Sequence, residues 1–154
     1  MRLTSEMALA GALLASASIG GTGCKSLDKP ASASFASVRI TGRTAEQIRA
    51  ATVVVFQQDG YTPTKVAGPE MVFEKEGSRW DQIAYGSWVN DAAVWIRVRA
   101  SLVPLPPDAF RLQCQAYVIR NKGDPLTEDP VRLRHNHSKP YQALLDKVRG
   151  QVMR

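Results

Sequence analysis

The sequence has few of the residues from which metal sites and catalytic centres are usually built. Its 154 residues include only two cysteines and two histidines. The chain contains no CxxC pair and no Cys/His spacing typical of zinc sites. It also lacks the GxSxG, HExxH, P-loop and dinucleotide-binding motifs. From these absences we expect no cofactor and no bound metal, and we predict that the protein is not an enzyme.

Long hydrophobic runs are also missing after Cys24, where no stretch reaches the about 20 apolar residues that a membrane-spanning helix needs. The first residues differ from the rest. Arg2 is followed by an apolar run over residues 7–19 and then by small residues. That run is too short to span a bilayer, and the order is typical of a secretory signal peptide. We therefore predict a signal peptide over residues 1–23.

The end of this segment, Gly21-Thr22-Gly23-Cys24, resembles the lipobox of bacterial lipoproteins. In that family the cysteine thiol receives a diacylglyceryl group and a dedicated peptidase cleaves just before it; Leu usually stands where this chain has Gly21. The resemblance implies that Cys24 is lipidated and becomes the first mature residue. Ala15-Ser16-Ala17 is an alternative site for ordinary secretory cleavage, after which Cys24 and Cys114 could form a disulfide.

The lipoprotein resemblance also implies a location in the cell envelope. Two or three acyl chains on Cys24 would make membrane attachment effectively permanent. Residues 24–34 are small and polar and include a proline, which predicts a flexible tether between the lipid and the folded part. In enteric lipoproteins an Asp after the lipidated cysteine marks retention at the inner membrane. This chain has Lys25 there, which favours the periplasmic face of the outer membrane.

The net charge of +6 is concentrated in the last part of the chain. Residues 131–154 contain six basic residues and one acidic residue, Asp146. Such a basic segment could meet anionic lipid, an anionic envelope polymer or an acidic envelope protein. The alternative is a solvated helix face. No nucleic-acid partner is expected.

The pattern of apolar residues predicts one α+β domain over residues 35–154, with an antiparallel sheet of about four strands and two helices packed on one face. The predicted strands lie near residues 35–40, 70–75, 94–102 and 110–118, and the last two form a long hairpin. Residues 62–69 and 121–130 contain prolines and glycines and are predicted to be connections. The element order over residues 35–152 resembles the helix-grip domains of several envelope lipoproteins.

Helix boundaries can be predicted from capping residues. Thr44 and Gln47 have the spacing of a capping box, and Asp59-Gly60 supplies a stop signal, which predicts a helix between them. Ser138 and Pro140 suit the N-cap and first turn of a closing helix over residues 139–152. In both segments the apolar residues recur at helical spacing.

The outward face of the predicted hairpin is the main candidate binding surface. Its basic, amide and aromatic side chains could hold carbohydrate, peptide or an anionic polymer by stacking and forked hydrogen bonds. The alternative is that long polar side chains merely cover an exposed sheet face. The candidate residues are Trp95, Arg97, Arg99, Arg111, Gln113, Gln115 and Tyr117.

Three further groups of residues are weaker candidates for a site. The aromatic residues Trp80, Tyr85, Trp88 and Trp95 could line a ligand pocket, although aromatic residues close in sequence are more often core and loop anchors. His135-Asn136-His137 has no further ligand at metal spacing and is interpreted as a solvated basic loop. The nearby carboxylates Glu74, Glu76 and Asp81 are also expected to lie in solvent.

Together these features predict a non-enzymatic, lipid-anchored envelope lipoprotein that acts as an interaction or scaffold domain. Its expected partners are the membrane, through the lipid on Cys24, and either another envelope protein or an anionic envelope polymer. The alternative function is a lipid-anchored domain that binds a small molecule or glycan in an aromatic pocket.

Overall fold

A computed structural model describes residues 35–79, 81, 84 and 93–154. The strands are β1 (Ala36–Thr41), β2 (Thr62–Ala67), β3 (Glu70–Glu76), β4 (Trp95–Leu105), β5 (Ala109–Arg120) and β6 (Asp129–Arg132). The helices are α1 (Ala45–Gln58), a 3-10 turn (His135–His137) and α2 (Lys139–Val152). Over these described residues the fold is α+β, as predicted, with an antiparallel sheet of six strands and two α-helices.

The long hairpin of β4 and β5 forms the middle of the sheet. The strand order is β1-β5-β4-β3-β2, and β6 also pairs with β5. β1 pairs with β5 over residues 109–114, and β6 pairs with it over residues 117–120. Because β4 pairs with β5 along its whole length, β1 and β6 share the other edge of β5. The predicted hairpin is confirmed, and its strands continue closer to the turn than predicted, to Leu105 and from Ala109.

The prediction of about four strands is wrong because it omitted β2 and β6. The sequence predicts connections over 62–69 and 121–130, which include β2 and the start of β6, because each segment contains prolines and few apolar residues. Proline is tolerated at sheet edges, where the missing N–H removes no ladder bond. β2 lies at one edge of the sheet and β6 extends the edge that β1 occupies. Backbone pairing with a neighbouring strand, rather than an apolar face, holds each of them in place.

Helix α1 begins and ends at the residues that the sequence predicts. The Thr44 hydroxyl accepts a hydrogen bond from the Gln47 N–H at 3.2 Å, and the Gln47 Oε1 accepts one from the Thr44 N–H at 3.0 Å, which completes the capping box. Gly60, just beyond the helix, has a φ of +86°, in the left-handed region that glycine tolerates. The predicted apolar face is buried and consists of Ile48, Ala51, Thr52, Val55 and Phe56.

Helix α2 covers residues 139–152 as predicted, but its start differs in one respect. Ser138 has helical backbone angles and makes no side-chain capping bond. The 3-10 turn over His135–His137 leads directly into the helix, so the first turn is ordered by backbone hydrogen bonds. One of these runs from the Gln142 N–H to the Ser138 carbonyl at 2.9 Å. Ser138 therefore occupies the N-cap position as predicted, although its side chain makes no capping bond, and Pro140 lies in the first turn as expected.

The hydrophobic core lies between the sheet and the helices. Phe56 of α1 stacks on Phe73 of β3 with ring centroids 4.4 Å apart, and Phe35 contacts Tyr141 of α2 at 5.2 Å. Cys114 is 5% exposed and belongs to this core, as the alternation of β5 predicts, and its burial raises the pKa of the thiol to about 12. Helices and sheet thus share one continuous apolar layer over the described residues.

Helix α2 also covers the edge of β1. The Gln142 side chain accepts a hydrogen bond from the Ser37 N–H at 3.1 Å and donates one to the Ser37 carbonyl at 3.0 Å. The amide therefore pairs with the strand as a neighbouring strand would. None of the helices in the described part of the chain has the length and apolar character needed to cross a bilayer.

Candidate functional site

The candidate site is the outer face of the sheet, the side that points away from the helices. Inward residues of β4 and β5 such as Val98 and Leu112 are completely buried, so their neighbours in sequence point outward. The predicted binding surface lies on this face, and its residues are partly or well exposed. The seven residues are Trp95, Arg97, Arg99, Arg111, Gln113, Gln115 and Tyr117.

Strand register divides the outer face into rows that cross the sheet. One row contains Glu74, Arg97, Tyr117 and Arg132, each paired with the next across neighbouring strands. The next row contains Val72, Arg99 and Gln115, and the one after it contains Glu70, Ser101 and Gln113. These rows place Arg97 and Arg99 side by side but give them different surroundings.

Arg97 is held by two carboxylates. Its Nε donates to Glu74 Oε1 at 2.5 Å, and its Nη1 donates to Glu128 Oε1 at 2.7 Å. Lys122 Nζ lies 2.7 Å from the other oxygen of Glu74. With 19% of the Arg97 side chain and 7% of the Glu74 side chain exposed, these four charges form a closed ion-pair network. The expectation that Glu74 lies in solvent is wrong, because the strand turns this carboxylate toward Arg97 and Lys122.

The network lowers the pKa of both carboxylates. Burial alone raises the pKa of Glu74, but the hydrogen bonds from Lys122 and Arg97 outweigh it and hold the pKa below its usual value. The hydrogen bond from Arg97 is the main reason that the pKa of Glu128 is also lowered. Arg97 gains a raised pKa, since its bonds to these carboxylates outweigh its own desolvation. All three groups are therefore charged at neutral pH, and Arg97 acts as a structural cation.

The aromatic residues of the predicted surface are engaged in contacts with cations. Lys122 Nζ lies 3.3 Å from the centroid of the Trp95 ring, so one face of this indole is covered. The Arg99 guanidinium lies 5.8 Å from the centroid of Tyr117. Trp80, Tyr85 and Trp88, which would complete the predicted aromatic pocket, lie outside the described residues.

A trough of about 490 Å³ crosses the outer face between these rows. It runs across the strands rather than along them, from Lys65 on β2 to Arg132 at the end of β6. Its middle is formed by side chains of the second and third rows, and it is open to solvent on one side. The residues that line it are Phe35, Lys65, Glu70, Met71, Val72, Arg99, Ala100, Ser101, Gln113, Cys114, Gln115 and Arg132.

The charges that line the trough do not cancel. Lys65 and Glu70 pair with each other at 3.4 Å. Arg99 and Arg132 are both exposed, and among the described residues neither has a carboxylate within salt-bridge distance. The trough is therefore positive at its centre and at its β6 end, in contrast to the neutral network around Arg97.

Both glutamines of the trough donate hydrogen bonds within the protein through their amide nitrogens. Gln113 Nε2 donates to Ser101 Oγ at 3.2 Å, and Gln115 Nε2 donates to the carbonyl oxygens of Ala116 and Leu133 at 3.1 Å. Within the described part of the chain, no donor reaches the Oε1 atom of either glutamine. Each amide thus offers its oxygen as an acceptor beside the arginines.

The predicted surface therefore separates into three parts. Arg97 and Tyr117 lie in the row of the ion-pair network, Trp95 lies beside it under Lys122, and Arg99, Gln113 and Gln115 line the trough. Arg111 is on the same face but is not among the trough residues. Sequence reasoning missed Lys65, Val72 and Arg132 as members of this site. Alternation along β3 could have identified Val72, whereas Lys65 lies in a predicted connection and Arg132 lies just after one.

The remaining candidates form no recognisable site. His135 and His137 are exposed in the 3-10 turn. In the regions that the structure describes, no three His, Cys, Asp or Glu side chains are grouped so as to hold a metal ion. Comparison of the chain with protein-family models finds no match, and comparison with curated proteins finds no significant relative.

Proposed function

We propose that this chain is a non-enzymatic envelope lipoprotein that is anchored by lipid on Cys24 and serves as an interaction domain. The signal-peptide pattern and the resemblance of Gly21-Thr22-Gly23-Cys24 to a lipobox support the anchor. Lys25 after the cysteine favours the periplasmic face of the outer membrane. The interaction domain begins near Phe35 and binds an envelope partner through the outer face of its sheet.

The observation that carries the interaction role is the asymmetry of the sheet. One face is covered by α1 and α2 and forms the core. The other face presents polar side chains and the trough, with Arg99 and Arg132 lacking carboxylate partners among the described residues. These two like charges lie on the same face of the sheet, and a partner of complementary charge would pair with them.

The anchor can be tested by replacing Cys24 with Ala and fractionating cells that express the full chain. We expect the unaltered protein to take up labelled lipid and to sediment with membranes, and the C24A variant to lose both properties. Membrane association that persists in C24A without lipid labelling would contradict the lipoprotein assignment.

The interaction role can be tested with a photo-crosslinking amino acid placed at single positions in living cells. Position 113 samples the outer face of the sheet, and position 143 is a matched control because Ala143 is exposed on α2. We expect a discrete crosslinked species from position 113 and none from position 143. Crosslinking from position 143 alone would assign the interaction to the helix layer and contradict the proposal.

A further inference from the structure

We propose that the trough on the outer face is a binding site for an acidic peptide segment, held in an extended conformation across the strands. This inference rests on the proposed interaction function and specifies the chemistry of the partner. It depends on three features of the trough: its unpaired arginines, its free amide oxygens and its open shape.

The arginines select a ligand that carries carboxylates. Arg97 in the adjacent row shows what an arginine on this sheet does when it has carboxylate partners, since it binds Glu74 and Glu128 and is largely covered. Arg99 and Arg132 have the same fork of donors without such partners in the described residues. A guanidinium binds a carboxylate through two parallel hydrogen bonds. The one carboxylate among the trough residues, Glu70, pairs with Lys65, so Arg99 and Arg132 lack the anionic partners that Arg97 has.

The glutamine oxygens distinguish a peptide from a phosphate polymer. Gln115 uses both of its N–H groups within the protein and Gln113 uses one, so the amide oxygen is the group that both glutamines offer a ligand. A polyphosphate chain at neutral pH has acceptors and few hydrogens to donate. A peptide backbone has an N–H group at every residue except proline. The site thus provides donors for side-chain carboxylates and acceptors for backbone N–H groups.

The dimensions agree with an extended segment. Arg99 lies on β4 and Arg132 on β6, with β5 between them, and Arg132 is one row further along the strands, so their backbones are roughly 12 Å apart. Side chains on the same side of an extended peptide recur about every 6.7 Å, so residues four apart are separated by about 13 Å, a spacing that flexible arginines can match. The trough is open along one side, which suits a chain that enters and leaves, and Val72 gives it apolar contact area.

The test uses the unlipidated mature chain, residues 24–154 with Cys24→Ser, and a blocked peptide that alternates Glu and Val. NMR titration follows the arginine Nε–Hε and glutamine side-chain signals. We expect saturable shifts at Arg99, Arg132, Gln113 and Gln115, and weaker binding as salt rises. A peptide in which Gln replaces every Glu should not bind. Equal binding of that neutral peptide would overturn the proposal.

Variants locate the site. Arg99→Gln and Arg132→Gln should each weaken peptide binding about tenfold, since each removes one charge-assisted contact. Arg99→Lys, which keeps the charge but not the fork, should bind with intermediate affinity. Arg111→Gln is the matched control, because Arg111 is on the same face outside the trough, and its affinity should be unchanged. An equal loss in Arg111→Gln would show general electrostatic attraction and contradict the site.

Two further outcomes decide between related ideas. Tighter binding of inorganic polyphosphate than of the Glu–Val peptide, with shifts at the same arginines, would overturn the peptide assignment in favour of a phosphate polymer. Because the tested chain carries no lipid, peptide binding can succeed while lipid labelling of Cys24 fails, and the reverse. Failure of this inference is therefore distinguishable from failure of the anchor.

Discussion

At the scale of single residues, two neighbouring arginines of one strand have opposite roles. Arg97 is enclosed by Glu74 and Glu128, whereas Arg99 is exposed at the centre of the trough. Sequence alternation places both on the outward face and gives no reason to separate them. The difference arises from β3 and from the loop before β6, which bring carboxylates to one arginine only. Two arginines that are equivalent in the alternating sequence pattern thus have different surroundings in the folded protein.

The network around Arg97 predicts the effect of Glu74→Gln. Loss of this largely buried charge leaves Lys122 without a carboxylate partner in the described residues and weakens the bond to Arg97. We expect the free energy of unfolding to fall by about 1–3 kcal/mol, measured by urea denaturation at pH 7. Glu70→Gln is the control, because its pair with Lys65 is exposed and should contribute less than about 1 kcal/mol. Equal effects in both variants would show that the network adds no special stability.

The same network predicts how stability depends on pH. Glu74 and Glu128 have pKa values below the usual 4.5 in the folded protein. Their contribution is complete above the unfolded pKa and is lost as the pH falls through the folded pKa. We expect the stability of the unaltered protein to fall from pH 4.5 downward, and the fall to be shallower in Glu74→Gln. If the free energy of unfolding falls equally steeply below pH 4.5 in both proteins, Glu74 is excluded as a source of the acid sensitivity.

At the scale of elements, the edges of the sheet are treated differently. β1 is covered by α2 through the paired hydrogen bonds of Gln142 with Ser37. β2 is mostly exposed, and it contains Pro63 and Lys65, residue types that discourage pairing with another chain at an open edge. Both features keep an edge of the sheet from pairing with another chain.

The two hydrogen bonds between Gln142 and the Ser37 backbone can be tested with Gln142→Ala. This variant leaves the Ser37 N–H and carbonyl without their side-chain partner, so we expect a loss of about 1–2 kcal/mol in the free energy of unfolding. Hydrogen exchange of the Ser37 amide should also accelerate. Gln151→Ala, an exposed change on the same helix, should alter stability by less than about 0.5 kcal/mol. An unchanged rate of hydrogen exchange at the Ser37 amide in Gln142→Ala would show that Gln142 does not protect the edge of β1.

At the scale of the whole molecule, one core connects the helix layer with the sheet. Phe56 from α1 and Phe73 from β3 are completely buried and stack on each other. Just before the start of α1, the Arg43 side chain donates a hydrogen bond to the carbonyl of Val152 at the end of α2. Helices and sheet therefore stabilise each other, and neither layer retains its buried face when the other is removed.

This coupling predicts that Phe73→Ala destabilises helices and sheet together. Removal of a completely buried aromatic ring should lower the free energy of unfolding by about 3–5 kcal/mol. Far-ultraviolet circular dichroism and tryptophan fluorescence should report the same unfolding midpoint in the variant. Phe110→Leu is a milder comparison, because Phe110 is only partly buried at the border of the core. Separate midpoints in Phe73→Ala would show that the two layers unfold independently.

The sequence by itself determined the elements that have an apolar face or a capping signal. Alternation located β1, β3 and the hairpin, and helical spacing with the capping box or Pro140 located α1 and α2. Local backbone preference and burial act over a few residues, so the sequence shows them directly. The outward orientation of all seven candidate residues follows from the same alternation.

Only the tertiary structure decided the edge strands and the shape of the site. β2 and β6 are held by backbone pairing with the strands next to them in the chain, β3 and β5, a contact that leaves no periodic apolar pattern in their own residues. The trough combines Lys65, Arg99 and Arg132 from three strands, β2, β4 and β6, whose side chains come to one face only when the sheet assembles. Which arginine has a carboxylate partner and which remains available is likewise a long-range property. Charge content was therefore predictable, whereas charge pairing required the fold.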